Sequence, residues 1–153
     1  KSTASSLPPP SPFASLTVIF NLPMSEPDQA KLMAEASEAR RQAYAKYSKF
    51  SVGAALMSED GTIFRGCNVE NASFGLTLCA ERVALTSAIT SGHRTFRAIA
   101  IVADRLVAPC GACRQVLTEF CDEDFPVHIA TAADPTSVET HLLGNLLPER
   151  FQL

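Results

Sequence analysis

Basic charge, long apolar runs and an even set of cysteines are all missing from this chain. Thirteen Lys and Arg stand against sixteen Asp and Glu, for a formal charge of −3. That balance argues against a nucleic-acid partner, which needs a basic face. No apolar run approaches the roughly 18 to 20 residues of a membrane span, so no membrane partner is expected. The five cysteines, Cys67, Cys79, Cys110, Cys113 and Cys121, are odd in number and irregular in spacing. That speaks against a secreted disulfide framework and fits a reducing cytoplasm with metal-bound or free thiols. No internal repeat is visible. His93, His128 and His141 lack ligand-like spacing and read as surface or edge histidines.

What remains is an ordinary globular composition: 153 residues, 46% hydrophobic and 19% charged, enough for one well-cored domain. Residues 1–23 are rich in Pro and Ser and carry no acid. They read as a disordered or leader/vector-derived extension, with a transit or secretory remnant as the weaker alternative. The domain is expected over residues 24–153.

Helix and strand signals alternate along it. Ser25 is a candidate N-cap, with Asp28 as a capping-box relative, and the segment 29–44 reads as an amphipathic helix. "SVGAALMS" (51–58) is a continuous apolar run suited to a strand covered on both faces. "EDGT" signals a hairpin turn into "TIFRGCNVE" (62–70). On that strand Ile63, Arg65, Cys67 and Val69 share one face, and Phe64, Gly66, Asn68 and Glu70 the other. "CAERVALTSAITSG" and "CGACRQVLTEF" read as helices, "FRAIAIVA" and "PVHIAT" as strands. The tail gives a strand remnant and a turn near 145–148. The expected fold is a three-layer α/β/α sandwich on a mixed sheet of about five strands.

Cys110 and Cys113 open one helix, and Cys79 opens another. Residues i and i+3 share a helical face, and helix N-termini favour thiolate over thiol. A thioredoxin-like redox pair needs no third cysteine, and a structural zinc needs a fourth ligand, for which candidates are poor. Cys121 lies about 12 Å beyond Cys113 along a helix axis, and Cys67 reads as an ordinary buried cysteine. Three protein ligands with an open fourth position describe a catalytic zinc. Glu81, two residues after Cys79, then stands beside the metal without ligating it, as a general acid–base would. By itself it reads as a solvated carboxylate favouring the helix N-terminus.

"CAERVAL" with "PCGACRQV" resembles the cytidine deaminase family, the small nucleoside branch of the zinc deaminases. The likeness extends through "YSKFSVGAAL", "GCNVENASF", "FRAIAI" and "LLPERF". It implies one Zn²⁺ per chain on Cys79, Cys110 and Cys113. An activated water then attacks C4 of cytosine, while Glu81 protonates N3 and helps ammonia leave. Arg82 resembles the arginine that donates to ligand sulfurs. Asn68 and Glu70 match the ribose 3′-hydroxyl contacts, and Phe50 the aromatic packed on the pyrimidine. The Ala80 N–H and the Ala108 carbonyl would read the base edge. Position 108 is Ala where the family usually has Ser, and Phe74 stands where it usually has Tyr. "ADRLVAP" is a shorter link than in many members. Phe151 resembles a C-terminal phenylalanine that enters a neighbouring subunit's site in homotetramers. The implied partners are cytidine or deoxycytidine and further copies of the chain. A deaminase of a modified aminonucleoside, of the blasticidin type, and a zinc-stabilised binding module are the alternatives.

Overall fold

The computed structural model describes residues 24–151; the extension expected over 1–23 lies outside the described residues. Helix α1 spans Glu26–Arg40, and strands β1 and β2 span Val52–Ser58 and Ile63–Cys67. A 3₁₀ turn at Phe74–Leu76 leads into α2, Ala80–Thr90, and β3, Phe96–Ala103. Then come α3 (Gly111–Leu117), β4 (Pro126–Thr131), β5 (Glu139–Leu142) and α4 (Leu143–Leu146). The strands form one mixed sheet in the order β2-β1-β3-β4-β5. Only β3 and β4 are parallel.

The sheet separates two apolar cores. On one face Leu32, Met33 and Ala36 of α1 pack on Ala55, Met57, Ala98, Ala100 and Val102. On the other, Ala80, Ala84, Leu85 and Ala88 of α2, with Leu117 and Leu143, pack on Ala54, Leu56, Ile99, Ile101, Val127 and Ile129. Alternation along β1 and β3 feeds both cores, which is why these strands read as unbroken apolar runs. The fold is the expected three-layer sandwich.

Two glycines set how closely the helices lie. A Cβ at Gly53 would sit 2.1 Å from the Ala36 carbonyl oxygen, and one at Gly66 would sit 2.2 Å from that of Ala80. Helix α1 therefore rides directly on β1, and the first turn of α2 rides directly on β2. Any side chain at Gly66 would lift that turn off the sheet, and Cys79 and Glu81 with it.

Three local expectations need correction. Helix α1 ends at Arg40 rather than running on to residue 44. The Tyr44 N–H instead donates to the Asn68 carbonyl, and the Tyr44 carbonyl accepts from Glu70 N–H, so this backbone is committed to the strand exit. Ser25 caps α1 by accepting from Asp28 N–H, as expected, but the Asp28 carboxylate pairs with Arg97 rather than completing a box. His128 is not a surface residue. It is 4% exposed in β4, where its Nδ1 meets Gln29 Nε2 and Thr140 Oγ1.

Candidate active site

The site forms where the N-termini of α2 and α3 meet the strand ends. Cys79 and Cys110 are the N-caps of the two helices, in extended backbone conformation. Pro109 forces the turn into α3, since it fixes its own φ and biases the preceding residue away from helix. Cys110 Sγ lies 3.8 Å from Cys79 Sγ and 3.5 Å from Cys113 Sγ. The three sulfurs all fall within 4.8 Å of one another, the only such group of possible ligands among the described residues. Cys113 is buried, Cys79 half-buried and Cys110 exposed. Cys121 is buried elsewhere, and Cys67 lies half-buried on β2.

The electrostatics favour a thiolate at Cys79. A hydrogen bond from Cys113, then donation from Arg82, hold the Cys79 thiol down at about 5. The same contact pushes Cys113 up. The Arg82 guanidinium donates to Cys79 Sγ at 3.7 Å and to the Thr77 carbonyl at 3.0 Å. Its Nε is buried without a hydrogen-bond partner. Three thiolates on a divalent ion leave a formal charge of −1, and a cation fixed among them offsets that excess. The donor set suits zinc, which takes Cys sulfur readily in tetrahedral sites and keeps one position open in catalytic ones.

A cavity of about 260 Å³ adjoins the sulfurs. Its walls include Phe50, Asn68, Glu70, Cys79, Ala80, Glu81, Ala108 and Cys110, so eight of the expected site residues line one space. Glu81 is 6% exposed. Burial raises its carboxyl above the ordinary range, and the neighbouring Cys79 charge adds to this. A buried carboxyl beside the sulfurs is placed to exchange protons with a neighbouring group, unlike the solvated carboxylate of the plainer reading.

The far wall is a hydrogen-bonded framework. Asn68 Oδ1 accepts from Val52 N–H at 2.9 Å, and Asn68 Nδ2 donates to the Phe50 carbonyl at 2.9 Å. Glu70 Oε2 accepts from the backbone N–H groups of Tyr47, at 2.7 Å, and Ser48, at 3.2 Å, while its Oε1 accepts from Ser48 Oγ. Those bonds, led by that of Ser48, hold the Glu70 carboxyl below its ordinary range. An amide has two donors and two acceptor sites, and a carboxylate about four acceptor sites. One Asn68 N–H therefore remains as a donor, with one acceptor site on Asn68 Oδ1 and one on Glu70, enough to serve a hydroxyl as both donor and acceptor.

Two expected residues stand apart from both this cavity and the sulfur cluster. Phe74 packs edge-on against Tyr47, with ring centroids 5.9 Å apart, and lines a neighbouring groove with Ser48, Glu70 and Thr77. Phe151 is 68% exposed, while its carbonyl accepts from Gln115 Nε2 at 3.1 Å. A larger groove of about 520 Å³ runs along α1 but gathers no comparable chemistry. Sequence reasoning missed Ser48, the residue that holds Glu70. "YSKF" gave only a polar residue before an aromatic one, and their contact spans 22 positions.

Residues 26–129 match the family model described as the cytidine and deoxycytidylate deaminase zinc-binding region. The chain belongs to this deaminase family. It is 50% identical over 126 residues to a cytidine deaminase of Sporosarcina psychrophila, covering 81% of this chain and 91% of that one. It is 48% identical over 126 residues to a cytidine deaminase of Halalkalibacterium halodurans, covering 81% and 94%. A crystal structure of cytidine deaminase from Burkholderia pseudomallei superposes with a TM-score of 0.77 at 46% identity, over 84% of this chain and all of that one. As a member of a zinc-binding deaminase family, the chain is an enzyme, and the three-cysteine group is where its described residues could hold the ion. No helix among the described residues is long and apolar enough to cross a membrane.

Proposed function

We propose that the protein hydrolyses cytidine and 2′-deoxycytidine to uridine and 2′-deoxyuridine, releasing ammonia, as a step of pyrimidine salvage in the cytoplasm. The observation that carries this reading is one cavity lined by Cys79 and Cys110 of the three-cysteine group, by the buried Glu81, and by Asn68 and Glu70 with unused hydrogen-bonding capacity.

One zinc ion on Cys79, Cys110 and Cys113 would supply Lewis acidity that makes a water nucleophilic near neutral pH. The chain's own residues do the rest. Phe50 offers an apolar face to the pyrimidine. The Ala80 N–H, in the first turn of α2, has no acceptor within its helix and is free for the base edge. The Ala108 carbonyl serves the same edge, and as a backbone group it does not need a serine side chain. Asn68 and Glu70 bind one sugar hydroxyl between them. Glu81 takes a proton from the attacking water and gives it to N3. It then moves the second proton to the departing amine, so that C4 gains oxygen as the C4–N bond breaks.

The protein works as a homo-oligomer, a tetramer by the family resemblance, with Phe151 entering a neighbour's site. Support comes from the tail, whose backbone is tied down while the ring stays exposed. Phe74 and Leu76, 75% and 67% exposed near the cavity mouth, add apolar surface of the kind subunits cover.

Incubation with cytidine tests the proposal: ammonia and the ultraviolet change to uridine are expected. Glu81→Gln should keep its zinc and lose nearly all turnover. A wild-type protein that is zinc-loaded but inert would leave a zinc-stabilised binding module. Turnover of blasticidin-type aminonucleosides in preference to cytidine would point to the other branch.

A further inference from the structure

Phe50 has a pinned backbone and a ring that lies outside both apolar cores. Its N–H donates to Ser48 Oγ at 3.0 Å, and its carbonyl accepts from Asn68 Nδ2. The ring belongs to neither apolar core, so core packing does not fix its plane. What lies against it is Arg105, whose guanidinium carbon is 5.0 Å from the ring centroid. Phe50 lines the cavity and Arg105 does not, so the cation meets the ring from outside the substrate space.

The residue before Arg105 makes a parallel connection. Asp104 pairs with Arg40, and Arg40 Nε donates to the Ser51 carbonyl at 3.1 Å. Residues 104 and 105 are thus joined to residues 51 and 50 by two arginines. They tie the loop after β3, which carries Ala108 and leads to Cys110, to the segment that opens β1.

We propose that Arg105 is a positioning residue for the pyrimidine: it stacks on Phe50 and holds the ring in the plane that the base packs against. This rests on the reading above that Phe50 faces the base. A planar guanidinium suits the task better than an ammonium, which lacks a flat face to stack.

The test uses zinc-loaded protein, cytidine kinetics and calorimetric binding of uridine, the product, which presents the same ring face. Arg105→Ala should raise both the KM for cytidine and the Kd for uridine about two- to fivefold, the size of an exposed cation–π contact. Its kcat should stay within about twofold, since no reacting atom is touched. Arg105→Lys should fall between Ala and wild type. In a Phe50→Leu background, Arg105→Ala should change uridine binding no further, because the two residues act as one unit. Unchanged uridine binding in the single variant, a loss that adds in full to that of Phe50→Leu, or a fall in kcat with KM unchanged would each overturn the role of Arg105. A wild type that releases no ammonia from cytidine would overturn the functional reading itself, and this proposal with it.

Discussion

Asn68 Oδ1 accepts the Val52 amide proton at 2.9 Å, so a wall residue of the cavity also fixes where β1 begins. The same side chain donates to the Phe50 carbonyl. Asn68→Ala would orphan a part-buried donor and acceptor together and should cost about 1–3 kcal/mol of stability. Asn68→Asp keeps the acceptor for Val52 but sets a carboxylate oxygen against the Phe50 carbonyl, so it should not rescue. Denaturant unfolding checks both. The pair Asn68 and Glu70 also retains one donor and two acceptor sites that can serve a hydroxyl. In the intact protein 3′-deoxycytidine should therefore lose about ten- to hundredfold in kcat/KM, as expected for a hydrogen bond to a charged group. Equal kcat/KM for the two nucleosides would remove the sugar-reading role.

The cysteine cluster predicts a metal inventory. Cys79→Ala, Cys110→Ala and Cys113→Ala should each lose the single zinc per chain, because a site with two protein thiolates is no longer a competent one. Cys67→Ala and Cys121→Ala should retain it, since neither sulfur belongs to the group. Elemental analysis of the five variants decides. A redox dithiol would leave Cys79→Ala unaffected and show a reversible Cys110–Cys113 disulfide.

The clustering of three cysteines was legible in the sequence because helix N-termini announce themselves locally. Pro109 before Cys110, and two apolar-striped segments beginning at cysteines, place three sulfurs at two helix starts. The sandwich was legible for a similar reason, since β1 and β3 carry apolar residues on both faces. What was hidden is what depends on distant partners. Tyr44 continues a helical pattern, yet its backbone pairs with Asn68 and Glu70. Ser48 and Arg105 matter through Glu70 and Phe50, and no period in the sequence links such pairs. His128 looked peripheral because a strand pattern does not say that α1 covers that face.

His128 supplies a pH prediction. Burial lowers its pKa below the ordinary value. Between the lowered folded value and the unfolded value of about 6.5, the unfolded chain binds a proton that the folded chain refuses. The neutral ring's contribution to stability is therefore complete above that unfolded value and is lost progressively as pH falls below it. His128→Asn offers Gln29 and Thr140 an amide oxygen in place of Nδ1 and cannot titrate there. The stability difference between wild type and variant should be flat above about pH 7 and move against the wild type below about 6.5. Urea unfolding at a series of pH values measures it, and thiol protonation, common to both proteins, cancels in the difference. A difference that stays flat down to pH 5 would contradict the assignment.

The tail offers the sharpest test of assembly. Arg114 donates to the Leu146 carbonyl at 2.7 Å, and Gln115 to that of Phe151 at 3.1 Å, so α3 is stitched to the end of α4 and to the segment after it. Chain ends usually fray unless something ties them down. Here the ties hold the backbone and leave the Phe151 ring 68% exposed. A lone exposed phenylalanine is unremarkable on a monomer, so the ring must be tested apart from its backbone. Phe151→Ala should leave zinc content unchanged and raise KM for cytidine about tenfold or more, the loss expected when a large ring leaves a packed pocket. Deleting residues 149–153 should do the same and loosen assembly as well, because it also removes the tie from Gln115 to the Phe151 carbonyl. Light scattering and kinetics on both variants separate the two effects. An intact protein that is monomeric and fully active, or a deletion with unchanged kinetics, would show that each chain completes its own site.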